Sequence, residues 1–386
     1  MEITGLGIGL ALFLFTAFFA YFVSVRIGLG VVITEILLGI LLGPSLFGVV
    51  PYGEGIQLVG ELGAIFLLFV VGFEVNFKEI YTIRNMIIAF FGVLVPFTAG
   101  FFLAAFFGYS TIQAMFIGTA LTATSIAITA YTLKELKYLN TPVAKAIIGA
   151  AVVDDVLALL FLSITTSISA NEFSIFSIGF KIVIAVLFVV LTVLVAPFVQ
   201  KFLKWGDKWG KKSGQDRVVL ILAIAFAFAY SALAEIIGLS AIVGAFMAGV
   251  TMHGLNLKEA REGAEYLEMV FAAIFFVSIG VIIDIKQIVI SAFFFLLIAI
   301  AILSKIIGCM LPSVFMKFNK KDAFIIGVGM MPRGEIALVV GLIGITSGII
   351  DQTLYGSIIA MTIITTILAP VMLSIILKRR NQTFKY

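Results

Sequence analysis

Cysteine occurs once, as Cys309, and charge is scarce: Asp, Glu, Lys and Arg make up only 12% of the 386 residues. A lone thiol in an apolar run excludes a disulfide framework and a thiolate cluster. A charged fraction about half the roughly one quarter usual in soluble domains excludes an ordinary water-soluble globule. Also missing is any polar stretch long enough to form a separate soluble domain, because apolar runs consume nearly the whole chain. What is present is hydrophobic, at 62% of residues and a mean hydropathy of +1.23. The chain therefore reads as an all-α polytopic membrane protein. Its net charge of +4 falls in short loops, which is how membrane proteins use Lys and Arg, so no nucleic-acid partner is expected. The first apolar stretch, Gly5 to Val25, is too long for a signal-peptide core. It also has Glu2 where a basic leader would stand, so it is expected as a retained helix.

Span-length apolar runs occur near 5–25, 30–48, 57–75, 84–107, 111–132, 142–169, 174–203, 217–237, 239–253, 265–283, 287–312, 322–347 and 352–377, which makes about 13 transmembrane helices. Gly238 marks the weakest division. Of the 25 basic residues, 21 lie in the connections after odd-numbered spans or at the C-terminus, for example Lys201, Lys204, Lys208, Lys211 and Lys212. Only Lys181 and Lys286 lie on the other side, and Lys305 and Arg333 lie within spans. The positive-inside rule places the N-terminus outside and the C-terminus in the cytoplasm.

Two spans carry helix-breaking sequence. Span five contains Thr122, Thr124 and Ser125, and span twelve contains Met331-Pro332-Arg333-Gly334-Glu335. Pro332 removes a backbone donor and clashes with the preceding turn. Unwound backbone at bilayer depth is tolerated only where it lines a cavity or is buried in protein. Two interrupted spans, seven apart and oppositely directed, point to inverted repeats built on spans 4–6 and 11–13, with two broken crossing helices.

The charges inside spans carry the chemistry. Asp154 and Asp155 sit side by side in GAAVVDDVLALLFL. An acid at bilayer depth costs about 2.5–3.5 kcal/mol on insertion scales, so a pair of them marks an ion or proton path. Adjacent helical residues point about 100° apart, so one can meet the broken crossing while the other faces a neighbouring span. A pair facing a wet vestibule with no role is the bland alternative. Lys305, alone in IAIAILSKIIGCML, needs an acid partner on another helix unless it snorkels to an interface. Thr122, Thr124 and Ser125 can offer hydroxyl and freed carbonyl oxygens to an alkali cation, or can bond back to their own helix. Arg333 and Glu335 read as structural charges at helix ends, with Glu74 as a candidate partner for Arg333. Glu35 reads as structural, Gly39 and Gly43 as a GxxxG packing signal, and His253 as a solvated loop-edge residue.

Taken together, VVDDV, TATS followed by IAIT, the lone lysine of span eleven and MPRGE resemble the monovalent cation/proton antiporter-2 family, in particular sodium/proton antiporters of the NapA type. TEILLGILLGPSLFG and LLFVVGFEVN fit its other recurring stretches, and the likeness covers essentially the whole chain. The resemblance implies an NhaA-like antiporter fold with Asp155 as the Na+-binding carboxylate, Asp154 paired with Lys305, and both broken spans at the site. It implies a homodimer in which core helices about 84–169 and 287–377 move like an elevator against dimerisation helices about 5–75 and 174–283. Paired aspartates resemble the electrogenic branch, which exchanges two protons for one sodium, whereas electroneutral relatives carry asparagine before the aspartate. Glutathione-gated potassium-efflux relatives append a nucleotide-binding domain, which is not expected in a chain ending at Tyr386.

The expected function is Na+/H+ (possibly Li+) antiport across the plasma membrane. It serves pH homeostasis without a cofactor, the ions being cargo and membrane lipid the surroundings. A K+/H+ exchanger or cation channel is the nearest alternative. An intramembrane aspartyl protease is a distant one, because such a dyad needs carboxylates facing each other from two helices.

Overall fold

The computed structural model describes residues 2–27, 30–49, 53–80, 82–169, 175–282 and 290–383. Lys286 and Lys385, two of the basic residues counted for orientation, lie outside them. In chain order the helices are α1 (Glu2–Ile27), α2 (Val31–Leu42), α3 (Glu54–Glu74), α4 (Phe77–Ile80), α5 (Ile83–Phe106), α6 (Thr111–Ala120), α7 (Ile126–Glu135) and α8 (Pro142–Ser169). They continue with α9 (Ile175–Lys212), α10 (Val218–Ile236), α11 (Ala241–Thr251), α12 (Lys258–Val281), α13 (Ala292–Phe315), α14 (Lys320–Gly329), α15 (Glu335–Thr346) and α16 (Gln352–Thr383). Among the described residues, nine helices are long and apolar enough to cross a membrane, with shorter apolar helices at α2, α6, α11 and α15.

The expected spans map onto this order once spans five and twelve are each read as two half-helices, α6/α7 and α14/α15. The weak division is real: Gly238 takes φ +81°, its N–H and that of Leu239 bond back to Glu235 O and Ala234 O, and Ser240 caps α11 through Ile242 N. A left-handed glycine closing one helix and a serine opening the next is a strong stop–start signal. Span ten differs at its start, because α12 begins at Lys258 rather than near 265. Its first turns are charged and held by Lys258–Glu262 (3.7 Å) and Arg261–Glu265 (3.3 Å) pairs spaced i,i+4.

The chain divides into two compact units. Unit 1 comprises Met1–Arg26, Thr34–Glu79 and Phe180–Ile282; unit 2 comprises Ile27–Ile33, Ile80–Gly179 and Ile283–Tyr386. Ile27–Ile33 thus groups with the second unit, although it falls among the N-terminal spans in sequence. In unit 1, α3 packs on α11 and α12. Gly43 of the GxxxG pair lies so close to α12 that a Cβ there would sit 2.7 Å from Val281 O. In unit 2, Phe116, Ile117 and Leu121 pack with Leu297 and Ala301 of α13 and Val340, Leu354 and Ile358 of α15 and α16. This core clamps the broken spans.

Candidate ion-binding site at the crossing of two broken helices

The broken spans share one layout. Each opens on a side-chain cap: Ser110 accepts from Gln113 N, with Gln113 reciprocating, and Asn319 accepts from Asp322 N. A ten-residue half-helix follows in both cases, α6 and α14. The chain then unwinds over 121–125 and 330–334 before α7 and α15 begin. Ser125 N donates to Pro332 O at 2.8 Å, so the two unwound segments bond to each other directly. Gly334 makes the approach possible, because a Cβ there would lie 2.8 Å from Ser125 Cβ.

Four half-helix ends meet here, and their dipoles must be balanced. At the C-terminal end of α6, Thr122 O accepts from Lys305 Nζ (2.7 Å) and from Arg333 Nη1 (3.4 Å). Arg333 Nη1 also donates to Ala123 O (2.7 Å), and its Nη2 to Ala301 O (3.1 Å). At the C-terminal end of α14 the donors are hydroxyls: Thr124 Oγ1 to Met330 O (3.2 Å) and Thr129 Oγ1 to Gly329 O (2.7 Å). Thr366 Oγ1 donates to Arg333 O at 2.6 Å. The carbonyls of Thr122, Ala123, Met330 and Arg333 in the unwound backbone thus accept from protein donors, as burial in a bilayer requires of them.

Lys305 does not snorkel. It is fully buried, and its Nζ donates to Asp154 Oδ1 at 2.7 Å, with Asp154 equally inaccessible. Asp155, the next residue along α8, is also buried, at 5% exposure. The α8 helix packs on α5, α6, α7 and α14, so it carries the carboxylate pair against both broken spans.

The hydroxyl cluster divides on inspection. Thr122 Oγ1 bonds back to Thr119 O (2.7 Å), and its carbonyl already serves two cationic donors. Thr124 is spent on Met330. Ser125 Oγ is buried without a hydrogen-bond partner among the described residues. Of the three, it alone has a proton with no acceptor among the described residues; Thr122 and Thr124 donate theirs to carbonyls and keep lone pairs that a cation can use.

Arg333 is a helix-end charge as expected, but its partners are carbonyls. Glu74, the candidate partner, pairs with Arg261 within unit 1. Arg333 Nη1 and Nη2 are taken up by these carbonyls, while Nε has no hydrogen-bond partner among the described residues. The backbone of Glu335 begins α15, while its side chain lies outside the described residues. His253 is half-buried at its loop edge, and its Nδ1 bonds Phe73 O at 2.8 Å. No sequence signal marks that contact, which joins residues far apart in the chain.

With this geometry in hand, comparison with known proteins is decisive. The family model described as sodium/hydrogen exchanger, transmembrane, matches residues 14–379. The chain belongs to the sodium/hydrogen exchanger family. It is 31% identical over 382 residues to the Na(+)/H(+)-K(+) antiporter GerN of Bacillus cereus, covering 97% of each chain. It is 31% identical to a Na(+)/H(+) antiporter of Enterococcus hirae, covering 92% of this chain and 94% of that one. To the high-affinity Na(+)/H(+) antiporter NhaS3 of Synechocystis sp. it is 35% identical, over 82% of this chain and 70% of the other. Its fold matches the sodium proton antiporter MjNhaP1 of Methanocaldococcus jannaschii with a TM-score of 0.70 at 18% identity, covering 97% and 96% of the two chains. Members of this exchanger family are transporters, not enzymes, and work on their ions without a cofactor. The intramembrane-protease reading accordingly falls away.

Proposed function

We propose that this chain is a secondary active Na+/H+ antiporter in which one mid-membrane acid, Asp155, binds protons and Na+ in turn. Asp154 and Lys305 form the coupled pair beside it. The observation that carries the reading is the fully buried Lys305–Asp154 bond, tied by the same ammonium to the carbonyl of the α6 break. A lone ammonium in hydrocarbon is unstable, and so is a lone carboxylate. Placed together at a crossing, each compensates the other's burial, and Asp155, buried on the same helix beside them, is the acid whose occupancy changes in this reading. A proton and an alkali ion cannot share one carboxylate, so competition between them produces obligate exchange when only an occupied site crosses. Ser125, Thr122 and Thr124 supply hydroxyl oxygens to the cation shell, the two threonines also holding the break in shape through the bonds they donate.

The paired aspartates favour electrogenic exchange, two protons against one Na+. Unit 2 is the moving core in this reading and unit 1 the dimerisation body of a homodimer, with the N-terminus outside and the C-terminus in the cytoplasm. The protein resides in the plasma membrane and serves pH homeostasis. The reading is tested with purified protein in proteoliposomes under an imposed Na+ gradient. Asp155→Asn is expected to abolish Na+-driven proton movement, and robust coupled flux by that variant would refute the assignment. K+ is a second reading because GerN, 31% identical over nearly the full chain, has K+ in its name. Na+, Li+ and K+ gradients applied in turn separate the two, and current without proton flux would identify a channel.

A further inference from the structure

Unit 1 contains a cavity of about 200 Å³ lined by α9 (Thr192, Val193, Ala196, Gln200), by the end of α11 and the turn after it (Val250, Thr251, His253), and by Asn76 and Phe77 after α3. Antiport at the crossing makes no use of it. We propose that this cavity binds a primary ammonium group, carried by an aminophospholipid headgroup or by a free amine.

The hydrogen-bond inventory decides the chemistry. Thr192 Oγ1 donates to Phe188 O (2.9 Å) and Thr251 Oγ1 to Ala248 O (2.6 Å), so each hydroxyl proton is committed to its own helix. Phe73 O can only accept, so His253 Nδ1 carries the proton of their 2.8 Å bond, and the neutral ring presents Nε2 as an acceptor. One Gln200 Nε2 proton is committed to Thr251 O at 2.8 Å, leaving Oε1 open. What remains is a set of lone pairs on Thr192, Thr251, Gln200 and His253, at a place where α3 and α11 both end and their dipoles are negative. Among the described residues no carboxylate lines the cavity. An acceptor-rich, uncharged pocket at two helix C-termini favours a compact cation with several N–H donors, which describes a primary ammonium. Asn76 Oδ1 is engaged by Lys78 N, so its amide N–H groups remain for an anionic oxygen next to that ammonium.

The position fits a lipid headgroup. Around the lining residues of α9, Leu194 and Phe198 are 69% and 67% exposed, and Trp205 and Trp209 follow, also exposed. Tryptophan on an apolar helix face marks the interfacial belt. At about 1.5 Å rise per residue, Gln200 lies roughly 7 Å from Trp205 along the axis, at headgroup depth. Lys201 and Lys204 are exposed alongside and supply positive charge for a phosphate.

The test uses the full-length protein in detergent, with lipid retention by native mass spectrometry and thermal stabilisation as readouts. Phosphatidylethanolamine is compared with its mono- and dimethyl derivatives, with phosphatidylcholine, and with free ethanolamine. Wild type is expected to retain phosphatidylethanolamine about tenfold better than phosphatidylcholine, with graded loss at each N-methylation. Ala196→Leu, which fills the cavity without touching the crossing, is expected to erase the preference and leave Na+-driven proton flux intact. If free ethanolamine stabilises wild type but not Ala196→Leu, and the lipids are indistinguishable, the ammonium site stands with a soluble amine as its source. Equal retention of all lipids with no effect of ethanolamine would overturn the proposal. So would a phosphatidylethanolamine preference that survives Ala196→Leu or ignores N-methylation. The lipid series on wild type needs no variant to fold.

Discussion

The bond between Lys305 and Asp154 can be weighed by a double-mutant cycle. Both groups are inaccessible and 2.7 Å apart. Removing one partner of such a pair leaves an uncompensated charge in a low-dielectric interior, which costs about 3–5 kcal/mol, whereas replacing both by neutral groups is often close to neutral. Lys305→Gln and Asp154→Asn are therefore each expected to lower the unfolding free energy in detergent by about 3–5 kcal/mol. The double variant is expected to lose far less than their sum, giving a coupling energy of about 3 kcal/mol or more. A lysine reaching an interface would instead show coupling of about 0–1 kcal/mol, as exposed pairs do. Equilibrium unfolding of the four proteins measures the quantity directly, and additive losses would refute the argument that each charge exists because of the other. The same four proteins answer a functional question: the double variant is expected to retain exchange that no longer responds to membrane potential, measured as Na+-driven proton flux with and without a potassium–valinomycin clamp.

Other expectations follow from the same contacts. Arg333→Ala strips the donor from Ala123 O in the unwound segment, while Ala301 O, mid-way along α13, keeps its intrahelical bond; at about 1–3 kcal/mol for one orphaned buried acceptor the loss should destabilise the protein by roughly that amount, thermal unfolding in detergent is the check, and an unchanged midpoint would contradict it. Gly334→Ala pushes a methyl to within 2.8 Å of Ser125 Cβ and should cost about 1–3 kcal/mol as overpacking while weakening the Ser125–Pro332 bond, seen as reduced transport at normal expression. Outside the spans, burial and then the nearby Asp351 carboxylate hold the Tyr109 phenol above its ordinary value of 10.0. A phenol raised in the fold keeps its contribution below the unfolded value and loses it as pH climbs through the folded one. Difference absorbance of wild type against Tyr109→Phe should therefore show one tyrosine ionising late, and stability should fall only above pH 10.

Much of this architecture was legible because the bilayer constrains it so tightly. Apolar run length located the spans, and Pro332 located one break by its missing donor. The cluster Thr122–Ser125 located the other by its surplus of hydroxyls, with no proline or glycine to help. Hydropathy reports depth in the membrane and not helix length, so α12 starts two charged turns before its apolar run and α9 continues past its own to Lys212. That Lys305 needs an acid follows from the cost of isolating a buried charge, whereas the choice of Asp154 over Asp155 is what the family resemblance implies. Arg333 illustrates what remained hidden. Its acceptors are carbonyls made available by tertiary approach, and carbonyls leave no trace in a sequence. Glu74 meets Arg261 across 187 residues for the same reason that His253 meets Phe73: helix packing within a unit, which composition does not encode.

The doubly served carbonyl of Thr122 has one more implication. Because Arg333 and Lys305 both point at that oxygen, the ammonium can let go while the guanidinium stays in place. A crossing tied at one oxygen to α13 and to the second break by separate donors does not hang on a single hydrogen bond, so the loss of either tie leaves the other to hold the unwound chain in place.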